Sequence, residues 1–432
     1  MNMRAQLGLK RGSALLSIGV ALSVSAACGS DGDGTGNTAG TTNVAGTPAA
    51  SSGSGGTAAG VAGAASAGSA TGGTAGASAG SAGVAGSAGS GGSGGGTSGG
   101  CSVSKNDDAQ PMLLSQTGCI NMADPKKPAT GLIPYSVRSP LWSDGASKER
   151  FVRVPDGAKI HVLDCAVELD ACKAPGLGGV GSDDGHWDMP VGTVLVKNFS
   201  IENKLVETRL LMRRSMTIWK GFSYEWNDTG TDATLLPDEG TGKDKPVGTG
   251  TQVWHYPSRA QCLECHTLYT GRSLGLTTAQ LNSDFAYAEG MMNQVEKFKQ
   301  LGLFDAPPKT IAGYPAPEGT EGTAETRALS YLQTNCSICH RPGSEGGQVD
   351  FRFATAFADR GLCEKSERDT GKVPAYRVVP GDVDKSALSF RMKALDEVRM
   401  PKVGSNVVDP AGIKLVEDWI KALPANACPP QP

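Results

Sequence analysis

The sequence predicts an α+β multidomain fold, in which a β-rich, sandwich-like domain is followed by two mainly α-helical modules. Short alternating or β-branched runs, separated by Gly, Pro, Asn and Asp, fill residues 132–236 and predict antiparallel strands. From about Pro257 onward, apolar residues recur at helical spacing, and Asp409-Pro410 gives the last helix a favoured N-cap and first residue. Residues 29–100 are almost wholly Gly, Ala, Ser and Thr, so they cannot contribute to a packed core.

Residues 1–28 have the composition of an export signal. Three basic residues precede an apolar stretch at 14–24, and small residues lead directly to Cys28. A cysteine at this position resembles a bacterial lipobox, in which the cysteine is lipidated and becomes the new N-terminus. Ser25 stands where such a motif usually has Leu, so cleavage without lipidation stays open. The sequence therefore predicts export, with a membrane anchor at Cys28 as the favoured form.

Residues 29–100 predict a disordered tether, because Gly-rich and Ser-rich chains bury too little apolar area to offset their ordering entropy. A coil of this length spans roughly 45 Å, from ~5–6 Å times the square root of its residue number.

Residues 101–250 predict the β-rich domain. The expected strands lie at 150–154, 159–163, 192–199, 205–213 and 217–226. Polar residues in this region include Asp144, Lys197, Arg209 and Arg213, but no metal-ligand spacing or nucleophile–base arrangement joins them.

The cysteines point to an oxidising compartment. Of eleven cysteines, four lie in two short motifs described below, and Cys28 belongs to the export signal. The remaining six form an even number, which predicts three disulfides and a location outside the cytosol. Nearness in sequence favours the pairs Cys101–Cys119 and Cys165–Cys172, which leaves Cys363–Cys428 as the third pair.

Two CxxCH motifs carry the chemistry. We call Cys262–His266 motif one and Cys336–His340 motif two. This spacing is the attachment signature of c-type haem: each thiol bonds to one haem vinyl group, and the adjacent imidazole becomes an axial ligand of the iron. A zinc site and a redox-active CxxC pair are the alternatives, and a second copy in an exported chain disfavours both. The sequence thus predicts two haem c groups, on Cys262, Cys265, Cys336 and Cys339, with His266 and His340 as axial ligands.

The second helical module, at 319–432, resembles the cytochrome c fold. A helix leads into motif two, Met400-Pro401 follows on a loop, and an amphipathic helix closes the chain. Met400 is the expected distal ligand of haem two, and Met392 is its nearest competitor. A thioether favours ferrous iron, so His340/Met400 ligation predicts a raised reduction potential.

The first helical module, at 251–318, is expected to contain helices at 274–281 and 291–301, and it leaves the distal ligand of haem one open. His255 and Met292 are the tentative candidates, and Met291, His161 and His186 are further alternatives. A five-coordinate iron with an open site also remains possible.

Several stretches resemble an uncharacterised bacterial family of exported dihaem c-type cytochromes. The stretches are 135–145, 190–199, 254–267 around motif one and 335–343 around motif two. The resemblance covers about residues 131–423 and implies two covalent haems and export, with no assigned substrate.

The expected function is electron transfer between redox partner proteins, in the periplasm or at the cell surface. One alternative is a dihaem redox enzyme, similar to peroxidases, with an open site on haem one. Another is a β-rich binding module whose haems report binding. The net charge of −3 implies no nucleic-acid partner.

Overall fold

The computed structural model describes residues 100–101, 104, 110–164, 184–366 and 371–431. The export signal with Cys28, the tether and the Cys165–Cys172 pair lie outside these residues. Residues 91–432 belong to one compact unit. The boundaries after residues 250 and 318 stay predictions.

The centre of the fold is a six-stranded antiparallel sheet with the order β1-β2-β5-β6-β7-β8. Its strands are β1 (Ile133–Tyr135), β2 (Ser147–Arg153), β5 (Val194–Ile201), β6 (Lys204–Arg213), β7 (Trp219–Trp226) and β8 (Ala233–Leu235). Three two-stranded ribbons surround it: β3 (His161–Val162) with β4 (Trp187–Asp188), β9 (Lys243–Pro246) with β10 (Val253–Tyr256), and β11 (Asp284–Tyr287) with β12 (Gly290–Asn293). The strands near 150–154, 192–199, 205–213 and 217–226 are present where their alternating residues predict them.

Six α-helices follow among the described residues. They are α1 (Arg259–Cys265), α2 (Thr278–Leu281), α3 (Gln294–Gln300), α4 (Ala324–Asn335), α5 (Ala387–Lys393) and α6 (Pro410–Ala422). Short 3₁₀ helices lie at Leu114–Thr117, Leu268–Thr270 and Phe357–Asp359. No helix in these ranges is both long and apolar enough to cross a membrane.

The predicted fold class is wrong. The described residues are β-rich and only 20% helical, so this part of the chain does not contain two mainly α-helical cytochrome c-like modules after the β-rich part. The sandwich-like β-domain is instead one large sheet with small ribbons.

The error is clearest between Met291 and Leu301, where the sequence suggested one helix. Gly290 has a φ of +128°, which permits a tight turn, and Met291 and Met292 continue into β12. The helix α3 begins only after Asn293, whose side chain accepts hydrogen bonds from the amides of Val295 and Glu296. Met291 and Met292 therefore lie in a strand and not in a helix, because Asn293 is a favourable N-cap and the helix begins directly after it.

Both faces of the sheet are buried. Successive side chains of a strand point to opposite faces, and the apolar side chains on each face belong to a separate buried cluster. Val194 and Val196 of β5 face a cluster formed with the segment around the Cys101–Cys119 disulfide. Leu195, between them, faces a cluster shared with α2 and α3. We call this second face, which also carries Lys197 of β5, the motif face.

The helix pair α4 and α6 forms the main core of the C-terminal part. Asp409 caps α6 through the amide of Gly412, at 2.9 Å, as its sequence predicts. Ala328 and Leu332 of α4 pack with Val416 and Ile420 of α6. The Cys363–Cys428 disulfide ties the end of the chain to this part. Both disulfides of the described residues match the predicted pairs.

Gly412 of α6 allows this helix to pack closely against Tyr331 of α4. A Cβ atom at this position would lie 2.3 Å from the ring of Tyr331. We therefore expect Gly412→Ala to lower the free energy of unfolding by about 1–3 kcal/mol, as overpacking does. Gly240→Ala is the matched control, because a Cβ there meets no atom within 4 Å. Equal denaturant midpoints for the two variants would contradict the packing.

The burial of His186 predicts that the free energy of unfolding of the chain depends on pH. Its side chain is buried, and burial, with Arg341 and Arg213 nearby, lowers its pKa from 6.5 to about 4. In the unfolded chain the imidazole protonates first, so the free energy of unfolding falls as pH drops from about 6.5 to about 4.

We expect this loss to be about 3 kcal/mol and to disappear in His186→Gln, measured by denaturant unfolding. His161→Gln, at a half-exposed site, should keep the loss. An unchanged acid dependence in His186→Gln would contradict the assignment.

Candidate functional site

Motif two opens into the larger of the two cavities described here. The helix α4 ends at Asn335, and Cys336, Cys339 and His340 follow directly and line a cavity of about 470 Å³. Met400 lines the same cavity. Apolar walls come from residues distant in sequence: Val349, Phe351, Leu362, Leu388, Met392 and Ile413. The structure thus brings all four residues predicted for haem two to one cavity.

His340 is held in one orientation. Its Nδ1 lies 3.1 Å from the carbonyl oxygen of Gly346, and only a protonated Nδ1 can donate to a carbonyl. Burial lowers the pKa of His340, so the ring stays neutral and Nε2 keeps its lone pair. A Cβ on Gly346 would lie 2.5 Å from Nδ1, which explains the glycine. The ring is therefore prepared to bind a metal through Nε2.

Motif one repeats this arrangement. Its helix α1 begins at a capping box formed by Ser258 and Gln261 and ends at Cys265. Nδ1 of His266 lies 2.6 Å from the carbonyl oxygen of Arg272, which is six residues downstream, as Gly346 is from His340. Burial, with Lys197 nearby, lowers the pKa of His266 to about 3. Both motif histidines are thus neutral and have Nε2 free of this hydrogen bond.

The surroundings of the two motifs differ. Motif one lies directly on the motif face of the sheet: Sγ of Cys262 is 2.8 Å from the position that a Cβ on Gly221 of β7 would take. Cys262 and Cys265 line neither of the two cavities described here. The four motif cysteines form no disulfide with one another in the described structure. Within the described ranges, no group of three or more His, Cys, Asp or Glu is arranged to hold a metal ion.

The candidates for the distal ligand of haem one are dispersed. Both ring nitrogens of His255 are engaged, Nδ1 by Asp244 at 2.7 Å and Nε2 by Gln261 at 3.1 Å. Met292 lies in β12, opposite Phe285, and lines neither cavity.

The other three candidates are no better placed. Met291, beside Met292, is 68% exposed, and His161 pairs with Asp305. His186 packs against Gly271, beside the residue that holds Nδ1 of His266. None of the five is positioned as a clear second ligand.

The two motifs are neighbours in space. The guanidinium of Arg341, directly after motif two, donates to the carbonyl oxygen of Tyr269, three residues after motif one. Glu264 of motif one lines the cavity of motif two. Burial, with the Cys339 thiol of motif two nearby, raises the pKa of the Cys265 thiol to about 11.

A segment before β2 holds the loop that carries Met400. Oδ1 of Asp144 accepts hydrogen bonds from the amides of Asn406 and Val407, at 2.7 and 2.9 Å. Trp142 Nε1 donates to the carbonyl of Val407 at 2.8 Å, and its amide donates to Asn335 at 2.7 Å. The segment therefore connects α4 to the far wall of the cavity. Sequence reasoning noted Asp144 as polar but could not pair it with a loop 262 residues away.

Comparisons with protein-family models, with curated proteins and with solved structures gave no match.

Asp144 should control the mobility of the Met400 loop. We expect Asp144→Ala to destabilise the fold by about 1–3 kcal/mol, since two amides lose their acceptor. We also expect faster trypsin cleavage after Lys402, inside the loop. Asp384→Ala removes an exposed carboxylate and is the control. If both variants are cleaved at the wild-type rate, Asp144 does not hold this loop.

Proposed function

We propose that the chain is an exported dihaem c-type cytochrome that transfers electrons between redox partner proteins. The observation that carries this proposal is the cavity of about 470 Å³, lined together by Cys336, Cys339, His340 and Met400. Cofactor sites typically occupy ~300–1,000 Å³ and have mainly apolar walls with a few polar groups. Motif two therefore combines attachment chemistry, axial donors and space.

Each residue of motif two has a defined task in this proposal. The Cys336 and Cys339 thiols would hold a haem covalently, and Nε2 of His340, whose ring is fixed by the carbonyl of Gly346, would bind its iron. The sulfur of Met400 would supply the second axial ligand and favour the reduced state. A haem held there supplies reversible one-electron exchange at its iron. The apolar part of the lining would further favour the less charged, ferrous state of a haem held there.

Motif one supplies the second site in this proposal. His266 has a neutral ring like that of His340, and its Nδ1 also donates to the carbonyl oxygen of the residue six positions downstream. The contacts of Arg341 with Tyr269, and of Glu264 with the motif-two cavity, keep the sites adjacent. Adjacent sites suit direct electron exchange without a separate carrier.

A dihaem redox enzyme is the second candidate. The observation that favours it is the engagement of both ring nitrogens of His255, the nearest histidine to motif one. An iron at His266 without a second protein ligand has a position free for a small substrate such as a peroxide.

We further propose location in the periplasm or at the cell surface, with a lipid anchor at Cys28 and no nucleic-acid partner. The Cys101–Cys119 and Cys363–Cys428 disulfides support an oxidising compartment.

Counting covalent haem tests the proposal. We express the full chain with the c-type maturation machinery and measure haem by pyridine haemochrome and intact mass. We expect two haems per chain, and one in Cys336→Ser/Cys339→Ser or in Cys262→Ser/Cys265→Ser, because each pair holds one group. Cys363→Ser/Cys428→Ser removes two thiols outside the motifs and should keep both haems. A haem-free wild-type chain would contradict the proposal.

A further inference from the structure

Three cationic side chains lie side by side on the motif face of the sheet. Arg150 of β2 is directly opposite Lys197 of β5, and Lys197 is directly opposite Arg209 of β6. Directly opposed residues have Cβ atoms about 5 Å apart, where like charges are destabilising. Such a row needs nearby negative charge.

The described residues neutralise only one of the three. Arg209 makes two hydrogen bonds of 2.8 Å with the carboxylate of Glu207. The Lys197 ammonium makes no hydrogen bond or ion pair with a described residue and lies 5.9 Å from the centre of the Phe199 ring. The Arg150 guanidinium reaches only the carbonyl of Lys148, at 3.4 Å. Burial, together with Arg150 and Arg209, lowers the pKa of Lys197 to about 7.

The unpaired cations border a second cavity, of about 70 Å³. Arg150 and Lys197 line it from the sheet, and Arg341 lines it from the end of motif two. Asp184 supplies the only carboxylate among its lining residues. The volume holds several water molecules, or one small oxyanion. Thr270, from the loop after motif one, completes the wall, so the cavity lies between the two motifs.

We propose that this cavity is a binding site for a carboxylate- or phosphate-type anion, held by Arg150, Lys197 and Arg341. Guanidinium groups bind oxyanions through paired hydrogen bonds, and the ammonium adds a point charge. Two sources fit this chemistry: a propionate of a haem at motif one, or a free anion from solution. The first source rests on the proposed haem function, whereas the second does not. In either case, the bound charge would lie between the two motifs, and it would lower the reduction potential of a haem held at either one.

The first experiment titrates inorganic phosphate into the full-length chain by calorimetry, at fixed ionic strength. If the anion is free, wild type and Lys204→Met bind phosphate saturably, and Lys197→Met binds it at least about tenfold more weakly, as expected for one lost charge-assisted hydrogen bond. Lys204 is an exposed lysine on the same sheet, so its variant matches the change in net charge. Lys197→Arg keeps a cation and should restore binding.

The second experiment tests the propionate source. Haem labelled with ¹³C at its propionates is incorporated into the full chain, and redox difference infrared spectra are recorded. A propionate in the cavity gives a carboxylate band that shifts in Lys197→Met but not in Lys204→Met, while phosphate fails to bind any variant.

The proposal is overturned if phosphate binds equally to all variants, or if neither phosphate binding nor a band shift depends on Lys197. Arg150→Gln gives an independent variant if Lys197→Met does not fold. A chain without haem would refute the proposed function alone, because the phosphate experiment still decides whether the site exists.

Discussion

Burial of both faces of the six-stranded sheet is the constraint on which the structure depends. Because β5 and β6 alternate between two apolar clusters, neither face can be left to solvent. The N-terminal segment with its disulfide covers one face, and the segment from α1 to α3 covers the other. Motif one therefore packs directly on the sheet. Its Cys262 side chain lies against Gly221, which has no side chain of its own to separate them.

Motif two is connected to this sheet by polar contacts. Trp142 and Asp144 precede β2 and reach Asn335 at the end of α4 and the loop after Met400. Arg341 reaches the loop after motif one. The sheet therefore contacts motif one directly. The segment before β2 contacts the end of α4 and the loop after Met400, which lie on two sides of the motif-two cavity. Polar and charged groups are concentrated between the motifs, where a redox group would respond to them.

Local signals in the sequence predicted much of this arrangement. The long strands follow from period-two alternation, the motifs from cysteine spacing, and the α6 cap from Asp409-Pro410. The helical modules were overpredicted because apolar pairs such as Met291-Met292 fit a strand as well as a helix, and Gly290 decides for the hairpin.

Two features of the site could not be predicted because they depend on tertiary structure. The row of Arg150, Lys197 and Arg209 exists only through the register of three strands. The hold of Asp144 on the Met400 loop joins segments far apart in sequence. No local pattern marks either of them.

We propose above all that His340 and Met400 bind the iron of a covalent haem at motif two. The most direct measurement is a low-temperature EPR spectrum of the oxidised Cys262→Ser/Cys265→Ser chain with matured haem, which keeps the motif-two site alone, beside the same chain carrying Met400→Ala or Met392→Leu. If His340 and Met400 bind the iron, we expect a low-spin ferric signal that persists in Met392→Leu and becomes high-spin in Met400→Ala. The same low-spin signal in Met400→Ala, or its loss in Met392→Leu alone, would show that Met400 is not the ligand.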